Sequence, residues 1–139
     1  MATQKEMRDF IVKRTGIVPT EHFVCIGREK GGELVAVVGY DNYTGTAIEM
    51  HVASNGDYWM TKSLLRAAFD YPFNVCNCKV IIGVVPSGNE EALRLNRHLG
   101  FKTQTVIEDA HPDGALHIMV MRREDCRWLS KKGAVNGRR

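Results

Sequence analysis

Glu49 and His51 are the residues whose types and spacing are best suited to moving a proton. They stand two apart in the run Thr46-Ala-Ile-Glu-Met-His-Val-Ala53, where Ile48, Met50 and Val52 alternate with Glu49, His51 and Ala53. Alternation with a period of two belongs to a strand with two unlike faces, so the carboxylate and the imidazole share one of them. Such groups can take a proton from a reacting centre near neutral pH. A solvated polar face on an antiparallel strand would carry the same pattern. Further along, Asn89 follows the break Ser87-Gly88 and opens a helical pattern with Ala92, Leu95 and Leu99 on one face. An asparagine there can accept a hydrogen bond from a free N–H of the first helical turn.

Other chemistries find less support. The four cysteines are Cys25, Cys76, Cys78 and Cys126. The Cys76-x-Cys78 spacing is tighter than usual for zinc, and no second pair complements it. No Cys-His-Asp setting is visible around Cys25 or Cys126, and the five histidines show no metal-ligand spacing. The expectation is therefore no metal, with buried or free thiols in a reducing cytoplasm. His98 and His117 read as surface or partly buried groups, Trp59 and Trp128 as packing anchors, and Arg94 and Arg97 as solvated helix charges.

These residues need a scaffold, and the chain reads as alternating helices and strands. Residues 3–15 place Met7, Phe10 and Ile11 on one helical face, ended by Gly16. His22–Gly27 and Leu34–Tyr40 read as a hairpin around Lys30-Gly31-Gly32-Glu33, since paired glycines supply positive φ without steric cost. After a turn at Asp41–Gly45 comes the strand Thr46–Ala53, then a polar loop. A helix is expected over Trp59–Asp70, with Met60, Leu64, Ala67, Ala68 and Tyr71 near one face and Pro72 blocking its continuation. Val80–Val85 is short, apolar and β-branched, as a buried central strand should be. The Asn89 helix ends at Gly100. Two last strands follow, Lys102–Glu108 and Leu116–Met121.

The 139 residues suit one domain over 1–129 with its own core, because a chain of this length buries roughly two-thirds of its unfolded surface. The 44% apolar and 25% charged content is ordinary for a globular chain. No apolar run approaches a membrane span, and the first residues lack a signal-peptide core. Residues 122–139 carry seven Lys/Arg against two acids. The segment 130–139 lacks apolar periodicity and reads as a flexible basic tail.

The string Asn89-Glu-Glu-Ala-Leu-Arg-Leu-Asn-Arg-His-Leu-Gly-Phe101 resembles the N-x-x-A-x-x-L-Y-x-x-x-G-F pattern of the GNAT superfamily of acyl-CoA-dependent N-acetyltransferases. Asn89, Ala92, Leu95, Gly100 and Phe101 match, and Asn96 stands where many members carry tyrosine. The resemblance covers roughly residues 20–128, strongest over Glu49–Phe101. Within the superfamily, Trp59 and the closing Arg122–Trp128 resemble a compact branch frequent in phage and bacterial genomes, similar to the ribosomal-protein acetyltransferase type. Members usually open with a strand and two helices, whereas one helix precedes Phe23 here.

The resemblance implies an α/β fold: one mixed, largely antiparallel sheet with helices on both faces and a central parallel pair, Thr46–Ala53 and Val80–Val85, splayed at its C-terminal ends. It implies that acetyl-CoA inserts there and gives its acetyl group to a primary amine by direct attack. Cofactor contacts would fall on Val52, Ala53, Ser54, Gly56, Tyr58, Trp59, Met60, Thr61 and Asn89. Glu49, working through water, would be the base, with His51 as second choice. Val52 or Ala53 would supply an N–H to the oxyanion. Asn96 replaces the usual acid, and a thiol of pKa near 8.5 can leave without one. The loop Ser54–Lys62 holds one glycine, Gly56, where members usually carry two, and this departure and Asn96 keep in play a non-catalytic acyl-CoA-binding regulatory module of the same fold. The basic end keeps a second alternative, a small nucleic-acid-binding protein. The resemblance leaves the acceptor unnamed and homodimerisation open.

Overall fold

A computed structural model describes residues 1–56 and 59–129. Tyr58 and the segment 130–139, both given roles above, lie outside the described residues. The elements run α1 (Gln4–Thr15), β1 (Val24–Lys30), β2 (Glu33–Asp41), β3 (Ala47–Ser54), α2 (Lys62–Asp70), β4 (Val80–Pro86), α3 (Glu90–Leu99), β5 (Lys102–His111) and β6 (Gly114–Arg122). The strands form one sheet in the order β1-β2-β3-β4-β6-β5. Every neighbouring pair is antiparallel except β3 with β4. This parallel pair is required by α2, because a strand that crosses over through a helix returns in the same direction.

Local signals account for most boundaries. Thr3 and Glu6 close a reciprocal capping box at the start of α1. Gly100 ends α3 at φ 117°, a left-handed value that a side chain rarely adopts. The α2 region departs from expectation in three ways. The helix begins at Lys62, not Trp59, because the Thr61 hydroxyl accepts the Leu64 N–H at 3.1 Å and so defines the cap. Its buried face is Leu64, Leu65, Ala68 and Phe69, while Ala67 is exposed. Pro72 does not stop the chain's winding. The helix widens into a π turn over Tyr71–Val75, with Cys76 N–H bonding Tyr71 C=O at 2.9 Å. Pro72 sits at the start of that wider turn, where its missing N–H is not needed.

Helices lie on both faces of the sheet. One face carries α2 and α3, which bury Leu65, Phe69, Leu93 and Leu99 against Val38, Tyr40, Met50, Ile81, Met119 and Met121. The Tyr40 hydroxyl reaches through this core to the Ala68 carbonyl. The other face carries α1, whose Met7, Phe10 and Ile11 pack on Phe23, Cys25, Val37 and Ala53. Thus α1 covers β1–β3 and leaves the far half of that face without a helix among the described residues.

Candidate functional site

The two parallel strands part company midway. Their register holds at Ala47↔Val80, Ile48↔Ile81 and Glu49↔Ile82, and no further. Yet β3 stays paired with β2 as far as Ser54, and β4 with β6 as far as Pro86. Hydrogen-bonding direction alternates along a strand, so outer-ladder bonds show which groups face the gap. The Asn55 N–H bonds Val35 C=O at 2.8 Å, so by alternation Ala53 and His51 also point their backbone groups at β2. Val52 and Ser54 therefore turn theirs toward β4. Similarly, Ser87 N–H bonds Ala115 C=O at 2.9 Å, which commits Val85 and Gly83 to β6 and leaves Val84 and the Pro86 carbonyl facing β3. Backbone groups lacking a ladder partner demand one from elsewhere. Of the two candidate oxyanion donors, the Val52 N–H faces the gap and the Ala53 N–H does not.

The gap is the floor of a cleft of about 660 Å³ lined from both faces of the sheet. On the α3 side stand Trp59, Asn89, Glu91, Ala92, Leu95 and Asn96. On the α1 side stand Arg14–Pro19, Asp41, Asn42, Glu49 and His51. An extended ligand arm lying between the strands could thus meet a second reactant arriving from the opposite face.

On the α1 side the polar groups form a chain of contacts. Glu49 and His51 share a face, as the period of two requires, and Glu49 Oε1 lies 3.6 Å from His51 Nε2, an ion-pair distance. Asn42 Nδ2 donates to Glu49 Oε2 at 2.7 Å. Asn42 has a left-handed backbone, φ 55°, which asparagine tolerates better than most residues. Its own N–H donates to Asp41 Oδ1 at 3.0 Å. Asp41 is only 5% exposed and also accepts from the Thr20 N–H at 2.7 Å and the Thr20 hydroxyl at 2.5 Å. Contact with His51 holds the Glu49 carboxyl below the usual carboxylate range; burial opposes this and the Asn42 amide adds to it. For Asp41, burial pushes the pKa up, but the Thr20 and Asn42 donors outweigh it and the net direction is down. Both groups are therefore anions at neutral pH.

The remaining expected residues are divided. Val52, Ala53, Ser54, Trp59, Asn89 and Asn96 line the cleft together with Glu49 and His51. Gly56, Met60 and Thr61 do not line it. Gly56 turns the chain at φ 75°, Met60 packs against the α2–α3 core, and Thr61 caps α2. Asn89 Oδ1 accepts the Ala92 N–H at 3.1 Å, so the side chain serves as a helix cap while standing at the rim of the cleft. Asn96 leans over Gly83, where a Cβ would meet its Nδ2 at 3.1 Å, and points that amide at Met119 Sδ, 3.7 Å away. A carboxamide at this place can donate a hydrogen bond but has no proton to release near neutral pH.

Asp41, Asn42 and the segment 14–19 belong to the site without a signal in the sequence. Asp41-Asn42 reads there only as a turn, and Thr20, which grips Asp41, lies 21 residues away. Among the described residues no group of three potential ligands stands close enough to hold a metal ion, and no described helix is long and apolar enough to cross a membrane.

No protein-family model matches the chain, and no curated protein matches it. Solved structures do. A mutant of the spermidine N-acetyltransferase SpeG from Vibrio cholerae superposes with a TM-score of 0.63 at 19% identity, over 81% of this chain and 71% of that one. Mutant forms of the spermidine/spermine N-acetyltransferase SpeG from the same organism give 0.61 at 18%, over 73% and 68%. The N-acetyltransferase PseH of Campylobacter jejuni, in complex with acetyl coenzyme A, gives 0.59 at 14%, over 75% and 70%. At these identities the likeness speaks for the architecture: the chain has the GNAT acetyltransferase fold, with its mixed sheet and parted parallel strands.

Proposed function

We propose that this chain is an N-acetyltransferase that moves the acetyl group of acetyl-CoA to a primary amine by direct attack. The observation that carries this reading is the pair of parted strands with an ionised carboxylate beside an imidazole on one side of the gap. Acetyl-CoA fits the gap because its pantetheine amides can bond the backbone groups of Val52, Ser54, Val84 and Pro86 as an added strand would. The start of α2, reached through Ser54, Gly56 and Trp59, offers free N–H groups and a positive dipole end to the pyrophosphate. From the lining of the cleft, Asn89 would bond the arm and Asn96 the departing sulfur. Trp59 supplies an apolar wall, while Met60 and Thr61 fix the start of α2.

The amine enters from the α1 side, past residues 14–19. Its nitrogen attacks the thioester carbon, and the Val52 N–H stabilises the developing oxyanion, an interaction worth roughly 10²–10³ in rate where such donors have been removed. One member of the Glu49–His51 pair accepts the ammonium proton, and the thiolate leaves. The alternative is a non-catalytic acyl-CoA-binding module, favoured by the carboxamide of Asn96 where a phenol could act as an acid. Incubation of the protein with acetyl-CoA and a panel of amines, read by mass, tests the proposal. Acetylated product supports it; saturable acetyl-CoA binding with no product on any amine supports the module; no binding refutes both.

A further inference from the structure

We propose that His51 takes the amine's proton, and that Glu49 is a positioning residue whose carboxylate, fixed by Asn42, aims and counterbalances that imidazole. The inference rests on the acetyl-transfer reading and divides the labour within its site. Three features of the geometry carry it. First, Glu49 sits on the last paired rung of the parallel strands, whereas His51 lies one side-chain step farther, inside the splay. An arm held in the gap therefore lies nearer to His51 along the strand than to Glu49.

Second, both Glu49 oxygens already face protein groups. Oε2 accepts the Asn42 amide at 2.7 Å, and Oε1 faces His51 Nε2 at 3.6 Å. Nδ1 of His51 is the nitrogen left for the acceptor. The imidazole lies against the Phe23 ring, 6.4 Å between centroids, which limits its rotation. Third, the aim of Asn42 is set from outside β3. Its left-handed backbone is held by Asp41, and Asp41 by Thr20, so a relay of contacts from two other chain segments ends on the Glu49 carboxylate. Nothing about solvating a strand face calls for that much anchoring.

The chemistry agrees. A carboxylate held below its usual range is a weak base toward an ammonium of pKa about 8–10 but a durable anion, while a neutral imidazole can accept a proton on one ring nitrogen as it donates from the other. Other charges face the cleft from each neighbouring element. Asp41 lies at the end of β2, Glu91 on α3 and His111 on β5. Arg14, at the end of α1, is spent on Asn55 Oδ1 at 2.9 Å and on the Phe10 ring. In the reaction a C–N bond forms as the carbonyl π pair moves to oxygen, the C–S bond breaks to release thiolate, and His51 Nδ1 receives the proton from nitrogen, leaving imidazolium beside Glu49.

Chemical rescue tests this in the full-length chain. His51→Ala should lose about 10²-fold or more in kcat. Added imidazole should recover at least about tenfold of that loss, with substituted imidazoles ranking by basicity, a dependence that a structural role would not produce. Glu49→Gln should lose about tenfold in kcat with KM for acetyl-CoA unchanged and no recovery by imidazole. Asn42→Gly keeps the left-handed backbone but deletes the amide; it should lose about threefold or more in kcat while melting close to wild type. Full rate in the His51 variant with loss in the Glu49 variant would overturn the division of labour and leave the acetyl-transfer reading standing. Full rate in Asn42→Gly would overturn the positioning role. An inactive wild type that binds no acetyl-CoA would instead refute the underlying reading.

Discussion

Replacing Asp41 by asparagine changes one atom type and should destabilise the protein well beyond an ordinary surface substitution. Asp41 is 5% exposed and accepts three hydrogen bonds, from Thr20 N–H, Thr20 hydroxyl and Asn42 N–H. The carboxylate presents acceptors on both oxygens, whereas the amide must turn an NH₂ group toward one side. If Oδ1 keeps its contacts, the Thr20 N–H that bonded Oδ2 meets a donor. One charge-assisted bond is lost and one half-buried N–H is left without a partner, which costs about 2–3 kcal/mol. For a chain of this size about 3 °C of melting temperature accompanies each kcal/mol, so Tm should fall by about 6–9 °C at pH 7. The pH dependence supplies a second check. The folded-state pKa of Asp41 is depressed, so its stabilisation is present above the unfolded value near 3.9 and is lost as pH falls through the folded value. The gap between wild type and variant in urea unfolding should therefore be widest at neutral pH and narrow below about pH 4. Equal midpoints at pH 7, or a gap that persists undiminished in acid while both proteins remain folded, would refute the reasoning. Because Asp41 also sets Asn42, the proposed acetyl transfer should be slower in the variant under conditions where it remains folded.

Three other outcomes follow from the geometry. A Cβ at Gly39 would lie 2.1 Å from Phe23 Cζ, so Gly39→Ala must displace the ring that covers His51; the cost is about 3 kcal/mol by overpacking, and an unchanged denaturant midpoint would contradict the packing described. Acetyl-CoA at a hundredfold excess over its Kd should stabilise the fold by about 2.7 kcal/mol, and Val84→Pro, which deletes an N–H facing the gap, should shrink that thermal shift more than it lowers the Tm of the free protein. Asn89→Ala should lower stability by about 1 kcal/mol through loss of the α3 cap, and a calorimetric titration then separates cap from ligand: unchanged acetyl-CoA affinity would limit Asn89 to capping.

What the chain determines by itself is the set of elements and their order. Period-two alternation in residues 46–53, the β-branched run at 80–85, and the Gly16 and Gly100 stops are local signals, and local signals depend only on neighbours in sequence. The helical crossover between the two central strands makes them parallel whatever the rest of the chain does, and alternation alone brings Glu49 and His51 to one face. The start of α2 and the fate of Pro72 are not legible in this way. Hydrophobic period is ambiguous over a single turn, while the Thr61 cap and the wider π turn are matters of individual hydrogen bonds. Only the tertiary structure decides where the parallel pair comes apart, because register ends where outer ladders pull β3 toward β2 and β4 toward β6. It alone decides that the Val52 N–H faces the gap while the Ala53 N–H is taken. Nor could sequence place Thr20 on Asp41, Asp41 on Asn42 and Asn42 on Glu49. Such contacts join side chains that the chain brings together from separate segments, and they exist only after the backbone has closed around them.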